Sequence, residues 1–243
     1  MPRSLPPVSA DSAFFIDFDG TLVAIAPRPD LVRVEPRAIR LLASLSERFD
    51  HAVAVITGRP LDVIDGFLAP LTLPVAAEHG SIRRDAWGRL HQDTRSAETI
   101  KTAAARLEPF VGANPGLLLE RKQSSVALHF RQRPELADAC EAAVIDAAGG
   151  LDGLVLLTGK MIFELRPEGL DKGVAVEAFL GEPPFKGRTP VYIGDDVTDE
   201  DAFKAINALG GITIKIDDGE TEAQYRTSRE GLFDWLESLV EKH

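Results

Sequence analysis

The chain has 243 residues, of which 44% are hydrophobic, enough to bury one sizeable core and a second small one. Its formal net charge of −11 argues against a surface for nucleic acid or an anionic membrane, since both require a basic footprint. A single cysteine, Cys140, excludes an internal disulfide, and no apolar run matches a membrane span or a secretory signal. We expect a soluble, cytoplasmic monomer that binds neither nucleic acid nor membrane.

The first predicted element is a buried strand that begins near Phe14 and ends in Asp17-Phe18-Asp19-Gly20-Thr21. Two carboxylates at positions i and i+2 of an extended segment point the same way, and they repel unless a cation or a proton lies between them. An alternative is that the two aspartates only cap the turn after the strand. The rest of the chain has to decide between these two interpretations.

The next segments alternate between helical and strand patterns. Helical spacing of apolar residues predicts helices over Pro36–Leu45 and Leu61–Leu68. Between and after them, Ala52–Ile56 and Pro74–Ala77 are apolar on both faces, which is typical of central parallel strands. These two strands end in polar residues and glycine, namely Thr57-Gly58-Arg59 and Glu78-His79-Gly80.

From about residue 97 the strands alternate between apolar and polar residues. We predict an α-β-β-α-β-β unit with elements at Thr99–Val111, Leu117–Lys122, Val126–Arg131, Pro134–Ala147, Val155–Leu157 and Met161–Leu165. Alternation predicts a sheet that packs on helices through one face and is open on the other. The open face is expected to carry Glu120, Lys122, His129, Arg131, Lys160 and Glu164. An alternative is that these charges form only a solvated surface.

The last part of the chain returns to the first pattern. Asp171-Lys172-Gly173 begins a predicted helix, and a fourth apolar strand, Pro190–Ile193, ends in Gly194-Asp195-Asp196. The later elements are a helix at Ala202–Ala208, a strand at Gly211–Ile216 and a helix at Leu232–Val240. The predicted fold is therefore α/β, with a doubly wound, Rossmann-like parallel-sheet core. Residues 1–96 and 167–243 form this core, and residues 97–166 form a smaller inserted α/β cap domain.

Polar features lie at the carboxyl ends of the predicted parallel strands, where open α/β sheets place their sites. They are Asp17, Asp19, Thr57, Lys172 and the cluster Asp195, Asp196 and Asp199. So many carboxylates require a cation, and hard oxygen ligands favour Mg²⁺ over zinc. Lys172, the Thr57 hydroxyl and the backbone N–H groups after Asp17 can donate to a phosphoryl group. Asp17 is then the candidate nucleophile.

The chain resembles the haloacid dehalogenase superfamily of phosphatases in four motifs: Asp17-Phe-Asp19-Gly-Thr21, Thr57, Lys172 and Gly194-Asp195-Asp196. Within that superfamily it is similar to the trehalose-6-phosphate phosphatases, in Glu78-His79-Gly80, Glu120-x-Lys122, Ser125-x-x-x-His129-x-Arg131 and Gly159-Lys160-x-x-x-Glu164 among others. The resemblance implies Mg²⁺-dependent hydrolysis of trehalose 6-phosphate through an aspartyl-phosphate, the last step of trehalose biosynthesis.

The resemblance also implies roles for individual residues. Asp17 is the nucleophile, Asp19 the general acid and base, and Thr57 and Lys172 complete the catalytic set. The metal site is expected from Asp17, the Asp19 carbonyl and Asp195, with Asp196 and Asp199 orienting it. Substrate-binding residues are expected at Gly20, Thr21, Gly58, Arg59, His79 and Gly80 in the core, and at Glu120, Lys122, His129, Arg131, Lys160 and Glu164 in the cap.

Three alternatives remain open. A related sugar phosphatase, acting on sucrose phosphate or a mannosyl phosphoglycerate, has the same chemistry with a different cap. A receiver-like regulatory domain is also doubly wound and has an acidic pocket, but it needs neither Asp19 nor an inserted domain. A catalytically silent sugar-binding relative would lack the nucleophile or the acid, and both are present here.

Overall fold

The structure is a computed structural model that describes residues 5–26, 31–92 and 97–241. The predicted domain boundary at residue 96 lies outside the described residues. The chain divides into two compact units, one formed by Met1–His91 with Asp171–His243 and the other by Gln92–Leu170. We refer to them as the core unit and the inserted unit.

The described residues form twelve strands and seven α-helices. The strands are β1 (Ser12–Asp17), β2 (Val53–Ile56), β3 (Val75–Ala77), β4 (Ile82–Arg84), β5 (Leu90–Gln92), β6 (Leu118–Arg121), β7 (Val126–His129), β8 (Leu154–Gly159), β9 (Ile162–Pro167), β10 (Thr189–Gly194), β11 (Ile212–Ile216) and β12 (Tyr225–Thr227). The helices are α1 (Pro36–Arg48), α2 (Leu61–Leu68), α3 (Ala97–Ala113), α4 (Ala137–Ala148), α5 (Lys172–Leu180), α6 (Glu200–Ala208) and α7 (Arg229–Val240). In the described ranges, no helix has both the length and the apolar character that a bilayer crossing requires.

The large sheet has the strand order β12-β11-β10-β1-β2-β3-β4-β5. Its strands are parallel from β12 to β3, and β4 pairs antiparallel with β3. The chain runs outward from β1 through β2 and β3, and later outward on the other side through β10, β11 and β12. The order therefore reverses between β1 and β10, where an open α/β sheet places its site. The α/β, doubly wound prediction is confirmed.

The large sheet is covered by helices on both faces. Side chains alternate along β1, so that Phe14 and Ile16 pack with α1, α2 and α7, whereas Ala13 and Phe15 pack with α5 and α6. All six residues of β1 are buried. Burial on both faces explains the near-continuous apolar runs in the sequence. It also holds β1 in a fixed position, and with it the backbone of Asp17 at the end of the strand.

The inserted unit contains a four-stranded antiparallel sheet with the order β6-β7-β9-β8. Val126, Leu128 and Leu165 pack with residues of α3 and α4, including the buried Cys140. The α-β-β-α-β-β order is the one that the alternating pattern predicts. Three predicted positions differ, because β6 ends at Arg121, so that Lys122 lies directly beyond it, β7 ends at His129, and a turn at Met161 (φ 65°) separates β8 from β9. Arg131 and Lys160 therefore lie in turns beyond the strands, and both are exposed.

Candidate active site

Asp17 lies at the carboxyl end of the central strand and is paired with a buried lysine. It is the last residue of β1 and is 4% exposed, whereas Lys172 is the first residue of α5 and is 3% exposed. The Lys172 Nζ donates to Asp17 Oδ1 and to Asp199 Oδ1, each at 2.7 Å. The prediction of uncompensated carboxylates at this edge was therefore incomplete, since one ammonium group is shared by two of them.

Asp199 holds the loop after β10 in place. Its Oδ1 accepts hydrogen bonds from Lys172 and from the Tyr192 hydroxyl, at 2.7 Å each. Its Oδ2 accepts from the backbone N–H groups of Asp195 and Asp196, at 3.0 and 2.9 Å. Two donors on each oxygen fill the acceptor capacity of a carboxylate, so this side chain serves chiefly to orient the loop.

Asp17 and Asp195 have oxygen atoms that lack a donor. Among the described residues, Asp17 Oδ2 and Asp195 Oδ1 are buried and have no hydrogen-bond partner. One carboxylate oxygen from each of Asp17, Asp195 and Asp199 lies within 4.8 Å of the other two. Leaving buried carboxylate oxygens without a donor is costly, and a hard divalent cation removes that cost. The arrangement fits a divalent metal ion held by Asp17 and Asp195.

The pKa values of Asp17 and Asp195 also indicate that a cation is needed at this site. Burial, together with the Asp199 and Asp195 carboxylates, raises the pKa of Asp17 well above its usual value, although Lys172 acts in the opposite direction. Burial and the neighbouring Asp199 and Asp196 carboxylates raise the pKa of Asp195 to about 6. Both groups are therefore destabilised as anions in the protein without a cation.

Asp196 and Asp19 make other contacts. The Asp196 carboxylate accepts a hydrogen bond at 2.7 Å from the N–H of Val197 and caps the short 3₁₀ turn Val197–Asp199. The Asp19 carboxylate is held by Arg59, whose Nε and terminal nitrogen donate to its two oxygens at 2.6 and 2.7 Å. Asp17 and Asp19 therefore have different cationic partners, although they are only two residues apart.

Gly20 is required for the close approach of two loops. It has φ +84°, and a Cβ atom there would lie 1.9 Å from Asp195 Oδ2. Any side chain would therefore strain the backbone and push the acidic loop away from the end of β1. Thr21, the next residue in the motif, is fully buried.

The loops after β2 and β3 are joined by backbone hydrogen bonds. The N–H of Glu78 donates to the Arg59 carbonyl at 3.1 Å, and the N–H of His79 donates to the Thr57 carbonyl at 2.9 Å. Glu78 and His79 have φ +46° and +57°, and Gly80 has φ +100°. Two consecutive non-glycine residues in the left-handed region are unusual, and such backbone strain is often found at functional sites.

Thr57 and Gly58 complete this part of the site. Thr57 is 1% exposed, and its Oγ1 accepts a hydrogen bond at 3.1 Å from the N–H of Arg59. Because the oxygen serves as the acceptor, its hydroxyl hydrogen remains able to donate elsewhere. At Gly58, a Cβ atom would lie 2.5 Å from His79 Nε2, so the imidazole packs directly on the glycine.

The inserted unit has a polar sheet face with one ion pair and one hydrogen bond between a histidine and a carboxylate. The register places Glu120, His129 and Glu164 on one side of the sheet. His129 Nε2 lies 2.7 Å from Glu120 Oε2, and this hydrogen bond lowers the pKa of Glu120. Lys122 Nζ donates to Glu164 Oε1 at 2.9 Å, and their side chains are only 9% and 5% exposed. For Lys122 and Glu164, the alternative of a solvated surface was wrong.

Two buried residues of the core unit, Tyr192 and Lys215, were not predicted as site residues, and Ser125 of the inserted unit was named only as part of a motif. Tyr192 donates to Asp199, Lys215 donates to the carbonyl oxygen of Asp195, and Ser125 donates to Glu164. Lys215 had a visible signal, since it is the one charged residue of the strand Ile212–Ile216. Tyr192 had none, because a hydroxyl group in a strand does not reveal its partner, and the motif that contains Ser125 did not show that its hydroxyl bonds Glu164.

A second group of possible ligands lies elsewhere in the core unit. Atoms of Asp85, His91 and Glu182 can lie within 4.8 Å of one another. Asp85 is paired with Arg89 at 2.7 Å, and Glu182 is paired with Arg83. Because each carboxylate already has a guanidinium partner, we regard this group as an ion-pair network.

Sequence comparison identifies relatives that match nearly the whole chain. A family model described as trehalose-phosphatase matches residues 15–232. The chain is 37% identical over 236 residues to a trehalose-6-phosphate phosphatase of Escherichia coli, covering 97% of this chain and 89% of the relative. It is 42% identical over 208 residues to a protein of Sinorhizobium fredii named "Probable trehalose-phosphate phosphatase", covering 84% and 77%.

Structural comparison finds a solved structure that is similar over nearly the whole chain. A crystal structure described as a trehalose-6-phosphate phosphatase related protein has a TM-score of 0.75 and 30% identity, and the match covers 94% of this chain and 96% of that one. The agreement extends over both units, since the covered fraction is larger than either unit alone.

Proposed function

Because the chain belongs to the trehalose-phosphatase family, we propose that it hydrolyses trehalose 6-phosphate to trehalose and phosphate, the last step of trehalose biosynthesis. A phosphoric monoester hydrolase of this kind needs a carboxylate nucleophile in a fixed position. The observation that carries the proposal is Asp17, which is buried at the end of β1, bonded to Lys172 through Oδ1 and without a donor at Oδ2.

In the proposed reaction, an Asp17 oxygen attacks phosphorus, and the bond from phosphorus to the sugar oxygen breaks. The product of this step is an aspartyl-phosphate on Asp17. Asp19 gives its proton to the departing sugar oxygen, and the carboxylate that results takes a proton from a water molecule. That water attacks phosphorus, the bond to Asp17 breaks, and phosphate and the free carboxylate are restored.

The structure supports a proton-transfer role for Asp19 in two ways. Each of its oxygens accepts one hydrogen bond from Arg59 and keeps a second lone pair. Its side chain is 38% exposed, in contrast to the buried side chain of Asp17. A lone pair on each Asp19 oxygen is therefore open to a reacting group, while Arg59 limits the directions in which the carboxylate can point.

We propose Mg²⁺ as the divalent ion of this site, held by the side chains of Asp17 and Asp195 and by the Asp19 carbonyl. Oxygen-only ligands favour Mg²⁺, and the two oxygens without donors support this choice. When bound, Mg²⁺ supplies positive charge that neutralises the phosphoryl oxygens. Asp199 and Asp196 keep the loop of Asp195 in place through backbone hydrogen bonds.

Further groups of the core unit are proposed to bind the phosphoryl group. Lys172 supplies a buried positive charge, and the Thr57 hydroxyl supplies a hydrogen. The backbone at Gly20 and Thr21 and the strained loop at His79 are proposed as further contacts, with Gly58, Arg59 and Gly80 shaping these loops.

We propose that the polar face of the inserted unit binds the hydroxyl groups of the sugar. Its residues are Glu120, His129 and Glu164 on the strands, Lys122 directly after β6, and Arg131 and Lys160 in the adjoining turns. The support is that the pairs Glu120–His129 and Lys122–Glu164 present acceptors and donors side by side, as hydroxyl groups require. A cytoplasmic monomer without a nucleic-acid or membrane partner is also proposed, in keeping with the net charge of −11.

The test is phosphate release from trehalose 6-phosphate, sucrose phosphate and mannosyl phosphoglycerate, each measured with Mg²⁺ and with a chelator. We expect Mg²⁺-dependent turnover that is fastest on trehalose 6-phosphate. Preference for one of the other two esters would assign the chain to a related sugar phosphatase. Absence of turnover on all three by folded protein would contradict the proposal.

A further inference from the structure

Lys215 is a buried cation in a strand of the core unit. It lies in β11, where its sequence neighbours Ile214 and Ile216 are fully buried in the hydrophobic core, and Thr213, on the same face as Lys215, is also buried. Lys215 itself is only 5% exposed. Burying an ammonium group is costly unless it is hydrogen-bonded, and a strand of this kind gains nothing from a charge in its middle. Its position therefore requires an explanation other than packing.

The Nζ of Lys215 donates to the backbone carbonyl oxygen of Asp195. The register of the sheet explains this contact, because Lys215 pairs with Gly194, the residue before Asp195. The N–H of Asp195 is also bonded, at 3.0 Å, to Asp199 Oδ2. Both peptide groups that flank the Asp195 Cα are thus held by side chains, one from β11 and one from the same loop.

The segment that Lys215 contacts is strongly acidic. Five of the seven residues 195–201 carry carboxylates, namely Asp195, Asp196, Asp199, Glu200 and Asp201. Two buried lysines meet this segment, since Lys172 bonds Asp199 and Lys215 bonds the backbone of Asp195. The first of these also touches the nucleophile, whereas the contact of the second is made only with the loop that carries a proposed metal ligand.

We propose that Lys215 is a positioning residue for the metal site. It fixes the backbone at Asp195 so that the carboxylate faces Asp17, and it thereby sets the affinity for the divalent cation. Residues that orient metal ligands typically change metal affinity or activity 10- to 100-fold when they are replaced. The inference rests on the proposed function, since it assigns Lys215 a role at the metal site proposed there.

The positive charge of Lys215 and its hydrogen bond have opposite effects on the affinity for Mg²⁺, so the direction of the change in a variant shows which effect dominates. A cation near Asp195 repels Mg²⁺, so removing the charge alone would tighten metal binding. Removing the hydrogen bond to the carbonyl oxygen lets the loop move and weakens metal binding. If positioning dominates, Lys215→Met binds Mg²⁺ more weakly. If charge dominates, the same variant binds Mg²⁺ as tightly as the wild type or more tightly.

The experiment compares wild type, Lys215→Met, Lys215→Arg and the control Lys204→Met, in which an exposed lysine of α6 is replaced. The dissociation constant for Mg²⁺ is measured by calorimetry on metal-free protein at a temperature where each variant is folded. We expect it to rise about 10- to 100-fold in Lys215→Met, to be partly restored in Lys215→Arg and to be unchanged in Lys204→Met. The Mg²⁺ concentration for half-maximal activity should rise in parallel, with little change in kcat at saturating Mg²⁺.

Three results would overturn the inference, and they are distinguishable. If wild type binds Mg²⁺ and Lys215→Met binds it equally or more tightly, Lys215 does not position Asp195, and the proposed function stands. If wild type shows no Mg²⁺ binding, the metal site fails and this role fails with it. A lower melting temperature in Lys215→Met with an unchanged Mg²⁺ dissociation constant would show a structural role only and would also overturn it.

Discussion

Replacing Lys172 by methionine removes the one ammonium group that Asp17 and Asp199 share. Lys172 is 3% exposed and lies 2.7 Å from an oxygen of each carboxylate, so the variant leaves two buried anions without it. Removing one partner of a buried ion pair costs about 3–5 kcal/mol. For a chain of this size each kcal/mol lowers Tm by roughly 2–4 °C, so we expect a fall of roughly 6–20 °C in the metal-free protein.

The same variant should respond to Mg²⁺ and to pH in a defined direction. Mg²⁺ adds positive charge beside Asp17 and should restore part of the lost stability. Because the pKa of Asp17 is already raised, acidification protonates it and removes the anion that Lys172 compensates. The difference in Tm between wild type and variant should therefore be smaller at about pH 5 than at about pH 7.5.

The assay is thermal unfolding of wild type, Lys172→Met and the exposed control Lys204→Met, in chelator and with Mg²⁺. Lys204→Met should change stability by no more than about 0.5 kcal/mol. A loss below about 1 kcal/mol in metal-free Lys172→Met, or a loss that grows on acidification, would refute the view that this lysine compensates the buried carboxylates.

Three other predictions concern Asp19, Lys160 and Asp195. Asp19→Asn should lower kcat on trehalose 6-phosphate by roughly 10²–10⁴ in protein that remains folded, and near-normal turnover would remove it from the mechanism. Lys160→Ala should lower kcat/KM for trehalose 6-phosphate by about 10- to 100-fold, since a hydrogen bond to a charged group contributes roughly 1.5–3 kcal/mol. The kcat/KM for a small aryl phosphate should not change, and equal losses on both substrates would contradict sugar recognition by Lys160. Because the pKa of Asp195 is raised to about 6, this carboxyl group stays protonated to a higher pH in the metal-free folded protein than in the unfolded chain. Its contribution to stability therefore falls as pH rises from about 4 to 6. Mg²⁺ binds the ionised form, so the increase in Tm on adding Mg²⁺ should grow over that range, and a constant increase would argue against Asp195 as a ligand.

The sequence was sufficient to predict the centre of the large sheet. Strands buried on both faces, such as the one that ends at Asp17, have long apolar runs whose ends mark the edge of the sheet. The three-residue strands Ile82–Arg84, Leu90–Gln92 and Tyr225–Thr227 were missed. They are too short for periodicity to show, and none of them is fully buried.

The sequence could predict which residues belong to the candidate site, but not which of their side chains bond to each other. Motif spacing brings Asp17, Lys172 and Asp199 to one edge of the sheet, yet it does not show that the lysine bonds both carboxylates. Nor does it show that Arg59 holds Asp19. These pairings depend on side-chain reach across loops that are distant in sequence. Turn geometry was likewise not visible, which is why Arg131 and Lys160 were assigned to strands.

The most direct test of the account is turnover of trehalose 6-phosphate by wild type and by Asp17→Asn, with Mg²⁺ removed and then restored. Folding of both proteins is checked by thermal unfolding under the same conditions. We expect wild type to release phosphate only when Mg²⁺ is present. Folded Asp17→Asn should release none in either condition, since an amide cannot act as the nucleophile. Phosphate release by folded Asp17→Asn at a rate near that of wild type would contradict the central claim.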